Sequence, residues 1–296
     1  MWFVFALVTT LAWGAADLFY KKGNNESETN SHLKTVVTVG IVMGLTGIGT
    51  LIFGSEGVTL HEIIMYLPVS LLYIISMAIG YFGLRYLYLS ISSPIQNSSG
   101  AMVALLYLCF GEALGWMDIT ATVLIGIGII ALALFERAQV PMPGEKKAKY
   151  GALAIIFPLL YCVLDAAGTY IDGLYLDTYE LIGEEAAQIA YYLTFAAAGA
   201  ICYVYIAIRE KKAFNPFANG NRIAASVFET AGQFTYVYAM AGNASVAAPM
   251  VASYCAVAVL LSRITLREKL RPMQYAAIAV IFAGIVLFGI SEGLAG

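Results

Sequence analysis

The chain has 296 residues, 60% of them hydrophobic and only 12% charged, with a mean hydropathy of +0.80. A soluble domain of this length needs far more polar surface to cover its core, which excludes that class. The net charge is −3, and the weak alternation over about 10 residues that marks barrel strands is missing, so an all-α integral membrane protein is expected.

Apolar stretches of about 20 residues, enough to cross a hydrocarbon layer, recur along the whole length. In chain order they predict ten transmembrane helices, at 2–20, 34–53, 62–84, 93–111, 119–135, 149–171, 186–208, 222–241, 245–262 and 272–290. The first starts at Trp2 without a positively charged segment and leads to no small-residue cleavage motif, so it is expected to be a span and not a removable signal.

On this count all 16 lysines and arginines fall on one membrane side. They run from Lys21, Lys22 and Lys34 through Arg85, the Arg137 to Lys149 group and the Arg209 to Arg222 group to Arg263, Arg267, Lys269 and Arg271. The opposite loops, such as "GSEGVTLHE" and "DGLYLDTYELIGEE", contain none. The expectation is a multi-pass protein of the cell membrane with basic loops in the cytoplasm and both termini outside. These loops read as orientation signals beside membrane lipid, not as a nucleic-acid site.

The two halves share a plan. "FGEALGWMDITATVLIGIG" and "LREKLRPMQYAAIAVIFAG" each set a glutamate (Glu112, Glu268) before the last span of a half, with Gly128 or Gly284 following at the same interval. Upstream, "SSP" ends at Pro94 and "AAP" at Pro249. The first spans also correspond, since Trp13 stands four residues before Asp17 as Tyr161 does before Asp165. An odd number of spans per half makes the second enter from the opposite side. The expected organisation is two inverted five-helix repeats, 1–137 and 149–296, joined by a polar cytoplasmic linker at 138–148.

Three acids lie inside predicted spans: Asp17, Asp165 and Glu229. A carboxylate there costs roughly 2.5–3.5 kcal/mol on insertion scales, so it faces protein or water. Helical periodicity puts Trp13 and Tyr20 on the face of Asp17, Tyr161 and Thr169 on that of Asp165, and Gln233 and Tyr236 on that of Glu229. Carboxylates sharing a stripe with rings and hydrogen-bonding groups suit a wet cavity that takes a polar organic solute. For Asp17, pairing with Lys21 or Arg85 near the interface is a competing structural role. Pro94 and Pro249 interrupt the backbone ladder of the fourth and ninth spans, and Gln96 and Asn97 add amides beside the first break. The candidate substrate-binding residues are therefore Trp13, Asp17, Gln96, Asn97, Tyr161, Asp165, Glu229, Gln233 and Tyr236. Glu229, Asp17 and Asp165 are the candidates for coupling to H⁺ or Na⁺.

Other residues read as structural. Glu112 and Glu268 stand at helix starts, where a carboxylate offsets the macrodipole. Gly126, Gly128 and Gly284 suit close packing of the fifth and tenth spans. The only histidines, His32 and His61, are expected on opposite membrane sides, so no nucleophile–histidine pair and no catalytic residue is expected. The four cysteines stand singly in spans without metal spacing, and no GxxxxGK loop is present, so neither metal nor cofactor is expected.

With these features assembled, the sequence resembles the drug/metabolite transporter superfamily, specifically its EamA-like ten-helix carriers. The resemblance rests on the "AWGAADLFYKKG" start, the "GLRYL" end of the third span and the two Glu-to-Gly segments ending at Gly128 and Gly284. "AWG" at 12–14 and "PIQ" at 94–96 are also similar to segments of the glucose/ribose uptake branch. The resemblance implies a secondary carrier with alternating access and a central cavity lined by spans 1, 3, 4, 6, 8 and 9. The expected function is transport of a small polar metabolite, sugar-like or amine-bearing. Export of cationic drugs or amino acids is the alternative within the class, and a non-transporting membrane receptor is the alternative outside it.

Overall fold

The computed structural model describes residues 1–24, 27–55, 57–84, 86, 89–111, 114–137, 155–265 and 270–295. The linker at 138–148 and the expectations for Arg85, Glu112 and Glu268 lie outside them. The described residues are helical: α1 (Trp2–Gly23), α2 (Ser31–Phe53), α3 (Leu60–Gly83), α4 (Leu89–Asn97), α5 (Ser99–Cys109) and α6 (Trp116–Arg137) in the first half. The second half holds α7 (Ile156–Gly173), α8 (Glu184–Glu210), α9 (Gly220–Val251), α10 (Tyr254–Thr265) and α11 (Pro272–Ala295). By length and composition, α1, α2, α3, α6, α8 and α11 can each cross a membrane, and α9 with α10 passes the same test as a pair bent by 44°.

The expected spans map onto these helices with two corrections. The eighth and ninth expected spans are the two helical stretches of α9, which part at a kink at Asn243 (φ −176°, ψ 85°). First, the fourth is split into α4 and α5 at Ser98, and the ninth is interrupted again at Ala252 and Ser253. Both interruptions come about one turn after the proline rather than at it. There the ladder tightens to three-residue steps, Ser98 N donating to Ile95 O at 3.3 Å and Ser253 N to Met250 O at 3.1 Å. Second, α7 runs past residue 171 into one π-helical turn, Leu174–Thr178, while residues 149–154 of the expected sixth span lie outside the described ones.

Local chemistry sets several helix starts. Thr59 and Glu62 form a reciprocal capping box on α3, with Thr59 N donating to Glu62 Oε2 at 2.6 Å. The Asn219 side chain accepts from the backbone N–H groups of Asn221 and Arg222 at the start of α9. Hydroxyls inside the spans return to their own backbone, as Thr10 does to Ala6 O (2.8 Å) and Thr230 to Ser226 O (2.7 Å). These hydroxyls are thereby satisfied without water.

The principal packing pairs are α1 with α9, α2 with α8, α3 with α7, α6 with α11 and α1 with α10. Backbones nearly touch in two of them. A Cβ on Gly40 of α2 would lie 2.7 Å from Phe195 O and 3.0 Å from Gly199 Cα. A Cβ on Gly128 of α6 would meet Ile281 Cγ1 at 2.5 Å, and one on Gly284 of α11 would meet Ile125 Cγ1 at 2.7 Å. Gly126, expected in that same seam, instead faces Ala101 of α5.

Basic and acidic groups tie several helix ends together. Arg222 at the start of α9 donates through Nη1 and Nη2 to Glu28, which also pairs with Lys34 of α2 at 3.4 Å. Lys34 in turn reaches Glu210 of α8 at 3.2 Å. Partial burial pushes the Glu28 carboxyl up, but Arg222 and then Lys34 outweigh it and hold the group below its ordinary 4.5. A carboxyl lowered on folding stabilises the fold above its unfolded value and loses that contribution as pH falls through the folded one. Thermal melts in detergent from about pH 6 down to pH 3 are therefore expected to show an acid-side loss of stability that Glu28→Gln reduces.

Candidate functional site

One cavity lies between α1, α3, the α4–α5 pair, α7, α8, α9 and α10, and all nine candidate residues line it. The helical stripes explain the convergence. α1 brings Trp13 and Asp17, α7 brings Tyr161 and Asp165, and α9 brings Glu229, Gln233 and Tyr236. Gln96 and Asn97 come from the last turn of α4.

The two aspartates are held from the same broken helix. Ser93 Oγ of α4 donates to Asp17 Oδ2 at 2.6 Å, and Ser99 Oγ at the start of α5 donates to Asp165 Oδ2 at 2.7 Å. Asn97 Nδ2 donates back to Ser93 O at 2.8 Å, and Gln96 Nε2 to Ser92 Oγ at 3.1 Å, which braces the turn of α4 that carries Ser93. Glu229 sits among the Tyr20, Tyr81 and Tyr191 phenols. No described lysine, arginine or histidine lines the cavity.

The rings are seated by glycines. Trp13 packs where a Cβ on Gly232 would meet its Cδ1 at 2.3 Å, and Tyr161 packs where a Cβ on Gly80 would meet its Cδ2 at 2.9 Å. Trp13 Nε1 donates to Glu229 O at 3.3 Å. Its ring stands 5.0 Å from Tyr236 and 5.9 Å, edge-on, from Tyr254. The space left free is about 60 Å³, room for a few waters and less than the ~150 Å³ that accepts benzene.

A fourth acid escapes the sequence reading. Asp172 is fully buried near the end of α7, with Oδ1 accepting from Tyr66 OH at 2.6 Å and Oδ2 from Tyr73 OH at 3.3 Å. Tyr73 OH also lies 3.1 Å from Thr169 Oγ1 and 2.6 Å from Tyr236 OH, so hydroxyls lead from Asp172 to the cavity wall. The signal was available: Asp172 continues the Tyr161, Asp165, Thr169 stripe at i+7 from Asp165. Ending the span at 171 assigned it to a loop.

The remaining structural readings can also be placed. Lys21 Nζ donates to Leu84 O at 2.9 Å, at the end of α3. His32 packs edge-on against Phe82, while His61 lies in the first turn of α3.

Residues 183–290 match the family model described as the EamA-like transporter family. A solved structure described only as "Crystal structure of protein" aligns over 97% of this chain and 96% of its own, with a TM-score of 0.68 and 13% identity. At that identity it shows a shared fold and nothing about activity. No curated protein matches the chain.

Proposed function

We propose, from the premise that this is a multi-pass membrane protein of the drug/metabolite transporter superfamily with an EamA-like domain over residues 183–290, that it is a secondary transporter. It moves a small polar metabolite, sugar-like or amine-bearing, through the central cavity by alternating access. The observation that carries this reading is the convergence of acids and rings from both halves of the chain on one enclosed space.

Two inverted five-helix units, 1–137 and 149–296, would build that space. The reading is supported by reciprocal contacts. Gly128 meets Ile281 and Ala277 while Gly284 meets Ile125 and Ala121, and the three pairs of counterparts are separated by the same number of positions. Gly40 meets Phe195 and Gly199 meets Val36 in the same fashion. The pairings α1 with α9 and α3 with α7 exchange under the same correspondence. The end bearing Lys21, Lys34 and Arg222 would face the cytoplasm, with both termini outside.

The free space is too small for a metabolite as it stands, so the walls must part to admit one. Gly80 and Gly232, behind Tyr161 and Trp13, sit where the two rings would shift. Coupling falls to the buried acids, with Glu229 first, because Asp17 and Asp165 already hold serine hydroxyls. In liposomes containing the purified protein, labelled glucose, choline or an amino acid is expected to accumulate under an imposed proton gradient. Glu229→Gln is expected to remove the gradient dependence while leaving downhill exchange. Coupling unchanged in that variant excludes Glu229 as the carrier, and binding of a solute without flux favours a receptor.

A further inference from the structure

Resting on the transporter reading and narrowing it, we infer that the cavity selects a hydroxylated organic ammonium ion and discriminates against both carboxylated solutes and neutral ones. Three features of the site converge on that class.

The first is charge. Asp17 and Asp165 present their carboxyl groups to the cavity, each held by a serine hydroxyl at 2.6 and 2.7 Å. Glu229 adds a third acid, and no described basic side chain lines the space. A solute cation supplies the compensating charge that the described lining lacks. In a poorly solvated site a carboxyl group takes its charged form beside a cation, whereas a solute carboxylate opposes that form and a neutral solute gives it no support.

The second is the ring arrangement. Trp13 has Tyr236 tilted against it at 5.0 Å and Tyr254 edge-on at 5.9 Å, with Tyr161 on the same cavity. Aromatic rings gathered on one cavity attract an ammonium group and accept alkyl substituents on its nitrogen.

The third is a donor without an acceptor. Gln233 is only 2% exposed and lines the cavity, yet its Nε2 has no hydrogen-bond partner. Buried donors are rarely left unpaired. Its acceptor would come from the solute, and among these carboxylates that acceptor is a neutral oxygen such as a hydroxyl.

The test uses four probes on the purified full-length protein in micelles, with affinity read by calorimetry and checked by thermal shift. Choline carries cation and hydroxyl, 3,3-dimethyl-1-butanol is its uncharged isostere, glycine betaine replaces the alcohol with a carboxylate, and tetramethylammonium lacks the hydroxyl. Choline is expected to bind at least about tenfold more tightly than the uncharged isostere and betaine, and more tightly than tetramethylammonium. Gln233→Leu is expected to erase the difference between choline and tetramethylammonium while both still bind. No choline binding, or betaine or the neutral alcohol binding as well as choline, overturns the inference without needing any variant. Flux separates the two levels. Choline binding without flux sinks the transport reading alone, whereas glucose or betaine flux without choline binding sinks the substrate class alone.

Discussion

Replacing Asp172 with alanine is expected to destabilise the protein by about 1–3 kcal/mol, because the buried Tyr66 phenol loses its acceptor while Tyr73 keeps Thr169 and Tyr236 as partners. The carboxylate holds Tyr66 and Tyr73 of α3 against α7, and it is wholly enclosed, so no solvent can replace it. Asp172→Asn retains an acceptor oxygen and should lose less. Tyr66→Phe removes one bond and leaves the other, and a loss near 1–2 kcal/mol is expected. Equilibrium unfolding in mixed micelles measures all three. An alanine variant as stable as the wild type would show that the network contributes nothing to joining α3 and α7.

The second large effect is expected at Gly40. A methyl there would press against the Phe195 carbonyl at 2.7 Å and the Gly199 Cα at 3.0 Å, and both are backbone atoms. Side chains can rotate away from an intruding group, but backbone can retreat only if α2 and α8 separate. Gly40→Ala is therefore expected to cost about 2–4 kcal/mol, at or above the usual range for overpacking, and Gly40→Leu to prevent stable folding. Gly49, on the same helix, has nothing within 4 Å of its added Cβ. Gly49→Ala is expected to be neutral or to stabilise by up to about 1 kcal/mol through helix propensity. Thermal melts of the pair in one detergent separate packing from propensity, and equal behaviour of Gly40→Ala and Gly49→Ala would refute the close approach.

Much of this arrangement was legible because a bilayer imposes simple rules. A span must be long, apolar and internally hydrogen-bonded, and an acid within it must face inward. Those rules suffice to bring Asp17, Asp165 and Glu229 to one cavity, with Trp13, Tyr161 and Tyr236 carried along by helical periodicity. They are weaker at the ends of spans. Asp172 followed an apolar run and preceded an acidic, glycine-containing stretch, which has the look of a loop. α7 nevertheless runs on through Asp172 to Gly173 and into the π-helical turn Leu174–Thr178, which keeps the residue inside. Ser93 and Ser99 were illegible for a different reason. Small hydroxyls occur throughout these helices, most bonding to their own backbone, and only the crossing of α4 and α5 past α1 and α7 selects two of them as partners for the aspartates. The prolines showed where ladders weaken but not where they break, because a proline frees a carbonyl one turn upstream and the distortion can settle one turn downstream.

The glycine seams carry a mechanical consequence. α2 and α8 are in near backbone contact, and α6 and α11 meet through glycines facing isoleucine side chains and backbone carbonyls. Neither pair can slide inward, and prising either apart forfeits dispersion contact along the crossing. A motion that widened the cavity would cost least if it swung about the two crossings, as a plank swings on its trunnions. Residues nearest that axle travel little, and those at the far ends of α1, α3, α7 and α9 sweep the greatest arc.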